Sequence, residues 1–298
     1  MQTEPVSFYS DGLKLQGAFF LPDDFDASQK HSLVIPCSGF TGLMKIHPAR
    51  FARYLTSRGY MCFGFDYRGF AGSEGERGRV ILDEQVRDII HATSFAEDDP
   101  RVNHRQIILL GWGMGAGLVI DAARELVGAL GLICVNGFYS GKRIQLAHRG
   151  PAGYLDFHDR TRRQYTDRAK TGKPRWDDPF FFYPLDQQSQ AYVDNVLRQY
   201  SEYDTEEYSG ELADSLLRWH PEAYAPYMRM PVLIAHATRN ALHPHTEAES
   251  LYHAYGGPKE LFWIYDAGHT EWMKDDDYRF LALGRKIYTW LEDILQGT

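Results

Sequence analysis

The stretch QIILLGWGMGAG at residues 106–117 decides the fold. Its first half is a continuous apolar run, which is typical of a strand buried on both faces of a parallel sheet. Gly111, Gly113 and Gly115 then interrupt that run. The segment therefore predicts a strand, a tight turn and the start of a helix in immediate succession, with Gly113 in the turn.

The segments on either side of this turn alternate between strand and helix patterns. Residues 5–21 predict a hairpin around the turn Ser10-Asp11-Gly12. Such alternation implies βαβ units, so we expect an α/β fold with a mainly parallel twisted sheet flanked by helices. Further strands are predicted at 32–39, at 60–75 where the strand runs into a Gly-rich loop, and at 128–138, 230–238 and 260–268, with helices at 48–58, 81–96 and 277–296.

The alternation stops at about residue 139 and resumes at 230. The residues between are charged, aromatic and irregular, with helical patterns only at 186–201 and 204–219. This segment is too long for a plain loop. We therefore expect a core formed by residues 1–138 and 229–298, with residues 139–228 as an inserted helical cap.

Composition and charge exclude several classes of protein. The 298 residues include 32 Lys and Arg against 40 Asp and Glu, so the formal net charge is −8, which argues against a nucleic-acid-binding surface. The apolar runs are shorter than the roughly 20 residues of a membrane span. The first residues, MQTEPVSFYSDG, lack the pattern of a secretion signal. These features predict a cytoplasmic protein that binds neither nucleic acid nor membrane.

The cysteines also favour a reducing compartment. Cys37, Cys62 and Cys134 lie in apolar, strand-like runs, which is typical of buried thiols and not of a disulfide framework. No Cys/His spacing typical of zinc and no phosphate-binding loop is found, so no metal and no cofactor is expected. A homodimer is left open, because homodimers are frequent among enzymes of this kind.

Four landmarks follow the predicted strands in chain order. They are IPCSGFTG at 35–42, DYRGFAGSEG at 66–75, GWGMG at 111–115, and the pair HATRNALHP at 236–244 and DAGH at 266–269. Together they resemble the α/β-hydrolase superfamily, in which the first is the oxyanion loop, the third the nucleophile elbow and the last pair the acid and histidine loops. The resemblance covers nearly the whole chain outside the cap, and the overall pattern is similar to that of capped, dienelactone-hydrolase-like proteins. It implies the α/β-hydrolase fold with an inserted helical cap.

The sequence departs from this superfamily at two of the three catalytic positions. The resemblance implies a nucleophilic side chain at the centre of the elbow, where this chain has Gly113, and an acid where it has Asn240. His269 matches the catalytic histidine. Glycine has no atom that can attack a carbonyl, so no acyl-enzyme can form at this position. An amide orients an imidazole but cannot stabilise its charged form, and the Asp-to-Asn change costs about 10⁴ in rate in a working triad.

The oxyanion hole would survive these changes, because backbone amides form it. The resemblance implies the amides of Phe40 and Met114 as its donors, with Ser38 nearby to bind the loop or a ligand. His269 with an ordinary pKa of about 6.5 would be a general base near neutrality. The first hypothesis is therefore a non-covalent small-molecule enzyme that acts on a carbonyl-containing, aromatic or polyketide-like biosynthetic intermediate. It would be a cyclase, lyase or isomerase, or it would hydrolyse its substrate by direct attack of water without an acyl-enzyme.

The second hypothesis is a ligand-binding protein whose catalytic site is inactive. The aromatic residues of the cap, together with Trp112 beside the elbow, would line a large pocket for an apolar ligand. Packing of FFFYP onto the sheet explains the same residues equally well. The cap residues concerned are Trp176, Phe180, Phe181, Phe182, Tyr183, Tyr192 and Tyr200.

The third hypothesis is an esterase or thioesterase with an atypical nucleophile. Cys37, Ser38 and Ser140 are its candidates, although a free cysteine at the end of an apolar strand is usually inert. Asp266 stands three residues before His269 and would supply the missing charge if it pointed towards the imidazole.

Two further groups of side chains are interpreted as structural. Three histidines in the acid loop, His236, His243 and His245, are expected to belong to a polar loop and not to a metal site. Asp66 and Arg68 are expected to pair with each other and to hold their own loop, as the resemblance implies.

Overall fold

The computed structural model describes residues 1–126, 128–203 and 206–296. Its main sheet has eight strands in the order β1-β2-β4-β3-β5-β6-β9-β10, and a two-stranded ribbon joins β7 and β8. The strands are β1 (Gln2–Ser10), β2 (Leu13–Leu21), β3 (His31–Cys37), β4 (Met61–Phe65), β5 (Val102–Trp112), β6 (Ala129–Val135), β7 (Trp176–Asp177), β8 (Tyr208–Ser209), β9 (Val232–Ala237) and β10 (Lys259–Ile264).

The helices lie on both faces of the sheet and in the cap. Among the described residues, no helix combines the length and the apolar character needed to cross a membrane. The helices are α1 (His47–Thr56), α2 (Leu82–Glu97), α3 (Met114–Ala122), α4 (Gly141–Thr171), α5 (Pro179–Phe182), α6 (Gln187–Asn195), α7 (Glu211–Arg218), α8 (Thr246–Ala254) and α9 (Tyr278–Gln296), with short 3₁₀ segments at Leu197–Gln199 and Pro221–Tyr227.

The sheet is parallel except at one edge. β1 and β2 form the predicted antiparallel hairpin, and β2 pairs antiparallel with β4. The other neighbours in the main sheet all pair in parallel, in the order β4, β3, β5, β6, β9 and β10. Because parallel strands are covered on both faces, their residues divide between two apolar cores. In β5, Leu109 packs in one core and Leu110 in the other, so the α/β architecture predicted from the sequence is confirmed.

The segment between β6 and β9 is more regular than the sequence predicts. It contains α4, a helix of 31 residues that is kinked at Gly150, where φ is +65° and ψ is 175°. The expectation of an irregular segment is therefore wrong here. Glycine adopts this backbone conformation without strain, and Pro151 fits after it because it begins a new helical turn.

The two helices predicted in this segment are only partly present. The pattern at 186–201 corresponds to α6 and the 3₁₀ turn that follows it. The pattern at 204–219 is helical only over α7, because Tyr208 and Ser209 pair with β7 instead. Residues 204 and 205 lie outside the described part of the chain. The helix α8 was not predicted.

The loop after β4 is anchored differently from the prediction. Arg68 pairs with Asp88 of α2 at 2.6 Å and with Asp11 at 2.8 Å, and it does not pair with Asp66. Asp66 instead accepts a hydrogen bond from the backbone N–H of Met44 at 2.7 Å. Burial raises the pKa of Asp66 to about 6. The expected Asp66–Arg68 pair is therefore wrong: each side chain fixes the loop through a different neighbouring element.

Candidate active site

The candidate site lies at the carboxyl edge of the parallel strands. Phe40 follows β3, Gly113 follows β5, Asn240 follows β9 and His269 follows β10. Parallel strands end at one edge of the sheet, and ligand sites of open α/β sheets lie there. Segments that are distant in the sequence thereby meet in one place.

Gly113 forms the sharp turn between β5 and α3. Its φ is +58° and its ψ is −125°, a conformation that favours glycine. Its backbone N–H donates to the carbonyl of Val135 at 2.9 Å. A Cβ atom built on Gly113 would lie 3.5 Å from Nε2 of His269, so the imidazole faces bare backbone. Met114 begins α3, and the N–H groups of the first helical turn have no partner within their helix.

The loop that carries Phe40 lies directly against this turn. A Cβ atom on Gly39 would be 2.8 Å from the carbonyl oxygen of Trp112 and 3.5 Å from the amide nitrogen of Met114. Only glycine permits this close approach of two backbones. Phe40 and Met114 line one cavity together with Gly113 and His269.

The amide of Asn240 fixes the tautomer of His269. The backbone N–H of His243 donates to Oδ1 of Asn240 at 2.9 Å, which identifies Oδ1 as the acceptor end of the amide. Nδ1 of His269 lies 3.2 Å from the same oxygen. Nδ1 therefore carries the ring hydrogen, and Nε2 presents its lone pair towards Gly113.

His269 is buried and stays neutral. Burial lowers the pKa of His269 well below its ordinary value, with further lowering from His236 and His47. The expectation of an ordinary pKa near 6.5 is therefore wrong. The ring of Trp112 lies 5.3 Å from that of His269, between centroids, and contributes to this apolar environment. The imidazole thus acts as a hydrogen-bond acceptor over the whole neutral pH range.

The histidines of the acid loop are not all in a polar loop. His236 and His243 are fully buried, whereas His245 lies at the start of α8. The ring of His243 lies 4.7 Å from that of His269, and its Nε2 is hydrogen-bonded to the hydroxyl of Tyr183. In the described residues no group of three or more His, Cys, Asp or Glu side chains is arranged to hold a metal ion.

The cavity above Gly113 is small and mainly apolar. Its volume is about 60 Å³, which holds a few water molecules at roughly 10–15 Å³ each. The core contributes Trp112 and His47 to its wall. The cap contributes Phe180, Tyr183, Leu185, Ser189, Tyr192, Val193 and Leu197.

Four cap residues predicted to line this cavity are not among the residues that line it, namely Trp176, Phe181, Phe182 and Tyr200. Trp176 and Phe181 instead border a polar cleft with Arg160 and Arg163. Trp176 is held in β7, where its ring packs against Gly78. The prediction for these four side chains is therefore wrong, whereas Phe180, Tyr183 and Tyr192 do line the cavity.

The candidate replacement nucleophiles are not placed to react. Cys37 is fully buried, and its thiol donates a hydrogen bond to the carbonyl of Ile35. Burial raises the pKa of that thiol. Ser140 caps α4 by accepting from the backbone N–H of Arg143. Ser38 is buried, and it is not among the residues that line the cavity.

Asp266 does not supply a charge to the imidazole. Its carboxylate is exposed and pairs with Arg239 at 2.6 Å. The conditional expectation that Asp266 compensates for Asn240 is therefore not met.

Sequence reasoning missed two residues of the site, His47 and Asn136. His47 at the start of α1 lines the cavity, and its Nε2 lies 3.2 Å from the hydroxyl of Tyr192. Burial lowers the pKa of His47 to about 3. Asn136 has a positive φ of 52°, and its side chain links the carbonyl of His269 to the amide of Ala237. The Asn-Gly pair after β6 was the available signal for that unusual backbone.

A mainly parallel sheet, a sharp turn after β5 and a histidine after the last strand define an α/β-hydrolase fold, which confirms the fold predicted from the sequence. The chain belongs to the family described as serine aminopeptidase, S33, which matches residues 28–277.

Two curated proteins are similar to this chain in sequence, and two solved structures are similar to it in fold. An uncharacterised 31.7 kDa protein of Escherichia coli from the traX-finO intergenic region is 29% identical over 263 residues, which are 88% of this chain and 90% of that protein. The polyketide transferase grgF of Penicillium sp. is 30% identical over 114 residues, which are 38% and 37% of the two chains. The crystal structure of the α/β hydrolase GrgF covers 98% of this chain and 99% of its own, with a TM-score of 0.80 and 19% identity. The structure of DcsB in complex with its substrate analogue covers the same shares, with a TM-score of 0.82 and 15% identity.

Proposed function

We propose that this protein is an enzyme that uses His269 as a general base on a carbonyl compound, without a covalent intermediate at position 113. One observation carries the proposal. Nε2 of His269 presents its lone pair to a place 3.5 Å away where Gly113 has no side chain. A serine there would be within hydrogen-bonding reach of the imidazole. With glycine, the same lone pair faces a substrate or a water molecule directly.

The backbone next to this base provides a site for a carbonyl oxygen. The amides of Phe40 and Met114 are the proposed donors, and each donor of this kind is worth about 3 kcal/mol in a working site. Removal of a proton beside the polarised carbonyl by His269 gives an enolate. That step belongs to lyase, cyclase and isomerase reactions. Attack by a water molecule on the carbonyl would instead give hydrolysis without an acyl-enzyme.

The proposed substrate is an aromatic or polyketide-like biosynthetic intermediate. The aromatic cap side chains in the cavity, such as Phe180 and Tyr192, support this class. A relative named as a polyketide transferase supports it too. A substrate of that size requires the cap between residues 180 and 197 to move, because the cavity measures about 60 Å³.

The experiment compares the wild-type protein with His269→Ala on a panel of small esters and β-keto thioesters. We expect turnover without an initial burst and without any acyl adduct in the intact mass of the protein. General bases contribute about 10²–10⁴ in rate, so His269→Ala should lower turnover at least 100-fold. Unchanged turnover in His269→Ala, or an acyl adduct on the wild-type protein, would contradict the proposal.

A ligand-binding protein is the second candidate, and one observation favours it. Burial lowers the pKa of His269 well below its ordinary value, and its partner Asn240 carries no charge to stabilise an imidazolium. A base of this kind holds a proton poorly. Tight binding of an aromatic ketone to both wild type and His269→Ala, with no product after long incubation, would favour this second function.

A further inference from the structure

The cap and the acid loop bring a second imidazole into contact with a phenol beside the same cavity. Tyr183, from the segment FFFYP, is hydrogen-bonded through its hydroxyl to Nε2 of His243. Nδ1 of His243 lies 2.5 Å from the carbonyl oxygen of Asn136. Tyr183 lines the cavity together with Gly113 and His269.

The partners of His243 fix where its hydrogen lies. A backbone carbonyl only accepts hydrogen bonds, so Nδ1 of His243 carries the hydrogen that is donated to Asn136. Nε2 of the neutral ring is then an acceptor, and the hydroxyl of Tyr183 is its donor. These hydrogen bonds link a hydroxyl to an imidazole and the imidazole to an oriented acceptor, which is the arrangement that activates hydroxyl nucleophiles in enzymes.

The surrounding contacts hold this series of hydrogen-bonded groups in place. Tyr183 and His243 are both buried, and the ring of Phe40 lies 4.7 Å from that of Tyr183. Asn136 is fixed in turn, because its side-chain amide donates to the carbonyl of His269 at 2.9 Å and accepts from the N–H of Ala237 at 2.8 Å. A base is effective only when its geometry is held by such neighbours.

We propose that Tyr183, His243 and the Asn136 carbonyl form a second proton-transfer unit of this cavity, which activates a hydroxyl group of the substrate. The oxygen of Tyr183 accepts the proton of the substrate hydroxyl while its own proton passes to Nε2 of His243. The substrate oxygen then forms a bond to a carbonyl carbon. When the bond to the leaving group breaks, that group takes a proton from Tyr183, which regains one from His243.

This unit narrows the substrate class. It requires a compound, or a pair of compounds, that brings a hydroxyl and a carbonyl into the same cavity, so acyl transfer to a hydroxyl is the reaction class. The inference rests on the proposed function only for the place of the carbonyl beside Gly113. The unit is neutral at rest, because burial raises the pKa of Tyr183 and lowers that of His243.

The test uses methanesulfonyl fluoride, a small electrophile that reports on activated hydroxyl groups. At Tyr183 a sulfur–oxygen bond would form, fluoride would leave, and the phenol proton would pass to His243. We expect peptide mapping to find Tyr183 modified faster than the exposed Tyr227. His243→Gln keeps a hydrogen-bonding side chain but removes the base, and it should slow the modification of Tyr183 about 100-fold.

A matched control is provided by the other tyrosine–histidine contact of the cavity. Tyr192→Phe removes the hydroxyl that lies 3.2 Å from His47, and it should leave the modification of Tyr183 in place. Modification that avoids Tyr183, or that proceeds equally in His243→Gln, would overturn the inference. Neither result bears on His269, whose role is tested by the turnover of His269→Ala.

A second measurement covers the case in which His243→Gln does not fold. Nitrogen NMR of the wild-type protein should show His243 as the tautomer with its hydrogen on Nδ1. In Tyr183→Phe the Nε2 signal should move downfield, because it loses its hydrogen-bond donor. An Nε2 signal that does not change in Tyr183→Phe, or a hydrogen on Nε2 in the wild type, would overturn the inference.

Discussion

Asn240 shows how a neutral side chain can keep a buried imidazole oriented. In general, an asparagine beside a catalytic histidine favours the wrong tautomer when its amide nitrogen faces the ring. Here the backbone N–H of His243 donates a hydrogen bond to Oδ1 of Asn240, which fixes the orientation of the amide. The same oxygen therefore faces Nδ1 of His269. The orientation of the His269 ring is therefore fixed, while the charge that would stabilise its protonated form is missing.

Replacing Asn240 by aspartate should restore that charge. In Asn240→Asp a carboxylate would stand 3.2 Å from Nδ1 of His269, and an opposite charge at this distance favours the protonated ring. We expect the pKa of His269 to rise, as measured by NMR titration of its ring signals. A pKa that stays where it is in the wild type would contradict the proposed contact.

The conformation of Gly113 predicts a cost for any side chain at this position. Gly113→Ala should lower the free energy of unfolding by about 1–3 kcal/mol, because its positive φ is strained for other residues. The added Cβ makes only ordinary contact with His269 at 3.5 Å, so crowding adds little. Urea denaturation measures this change, and an equally stable or more stable variant would be inconsistent with the described turn.

For individual residues, the sequence predicted those that follow recognisable landmarks. Gly113, Asn240 and His269 each stand at a fixed place after a strand, so their proximity followed from the sheet topology. Asn136 and His47 could not be predicted in the same way. The Asn-Gly pair indicates the unusual backbone at Asn136, but the contacts of both side chains depend on what the tertiary structure brings against them.

Among the elements, the loop after β4 is held to α2 by a buried ion pair. Arg68 donates to both carboxylate oxygens of Asp88, which is fully buried. Removing one partner of a buried pair leaves an uncompensated charge. The loop, which carries the landmark at residues 66–75, is thereby fixed to the core.

Asp88→Ala should lower the free energy of unfolding by about 3 kcal/mol, at the lower end of the range for a broken buried pair, because Arg68 keeps its contact with Asp11. The matched control is Asp156→Ala, which breaks the exposed Asp156–Arg160 pair on α4 and should cost less than about 1 kcal/mol. Chemical denaturation of both variants provides the comparison. Similar losses in the two variants would show that the buried pair does not anchor the loop.

The strands and helices also show where a sequence pattern is sufficient to predict secondary structure. Strands of the core were predicted because a strand covered on both faces needs a continuous apolar run, as in β5. The helix α4 was missed because it is charged and contains Gly150 and Pro151, both of which usually end a helix. Tyr208 pairs with β7 instead of extending α7, which is a contact that no local pattern encodes.

The whole molecule contains several buried histidines, and this makes its stability depend on pH. Burial lowers the pKa of His47 to about 3 and that of His236 to about 4, and it lowers those of His243 and His269 as well. The unfolded chain binds protons at these histidines once the pH falls below about 6.5, whereas the folded chain does not. Protonation therefore favours unfolding.

We expect the free energy of unfolding to fall as the pH decreases from 6.5 towards 4.5. Each histidine that stays neutral contributes about 1.4 kcal/mol per pH unit. Asp66 changes the free energy of unfolding in the opposite direction. Its raised pKa of about 6 makes the folded state bind a proton before the unfolded state does as the pH falls. Denaturant titrations across this pH range measure the net slope, and a flat or inverse dependence would contradict the burial of the histidines.

The central claim is that His269 faces bare backbone at the position where a serine would be activated. The most direct test is labelling by a fluorophosphonate, read by intact mass and peptide mapping. We expect no adduct on a serine or cysteine of the wild-type protein and an adduct at position 113 in Gly113→Ser, which is lost when His269→Ala is added. An adduct on Cys37, Ser38 or Ser140 in the wild type, or a folded Gly113→Ser that remains unlabelled, would contradict this placement of His269.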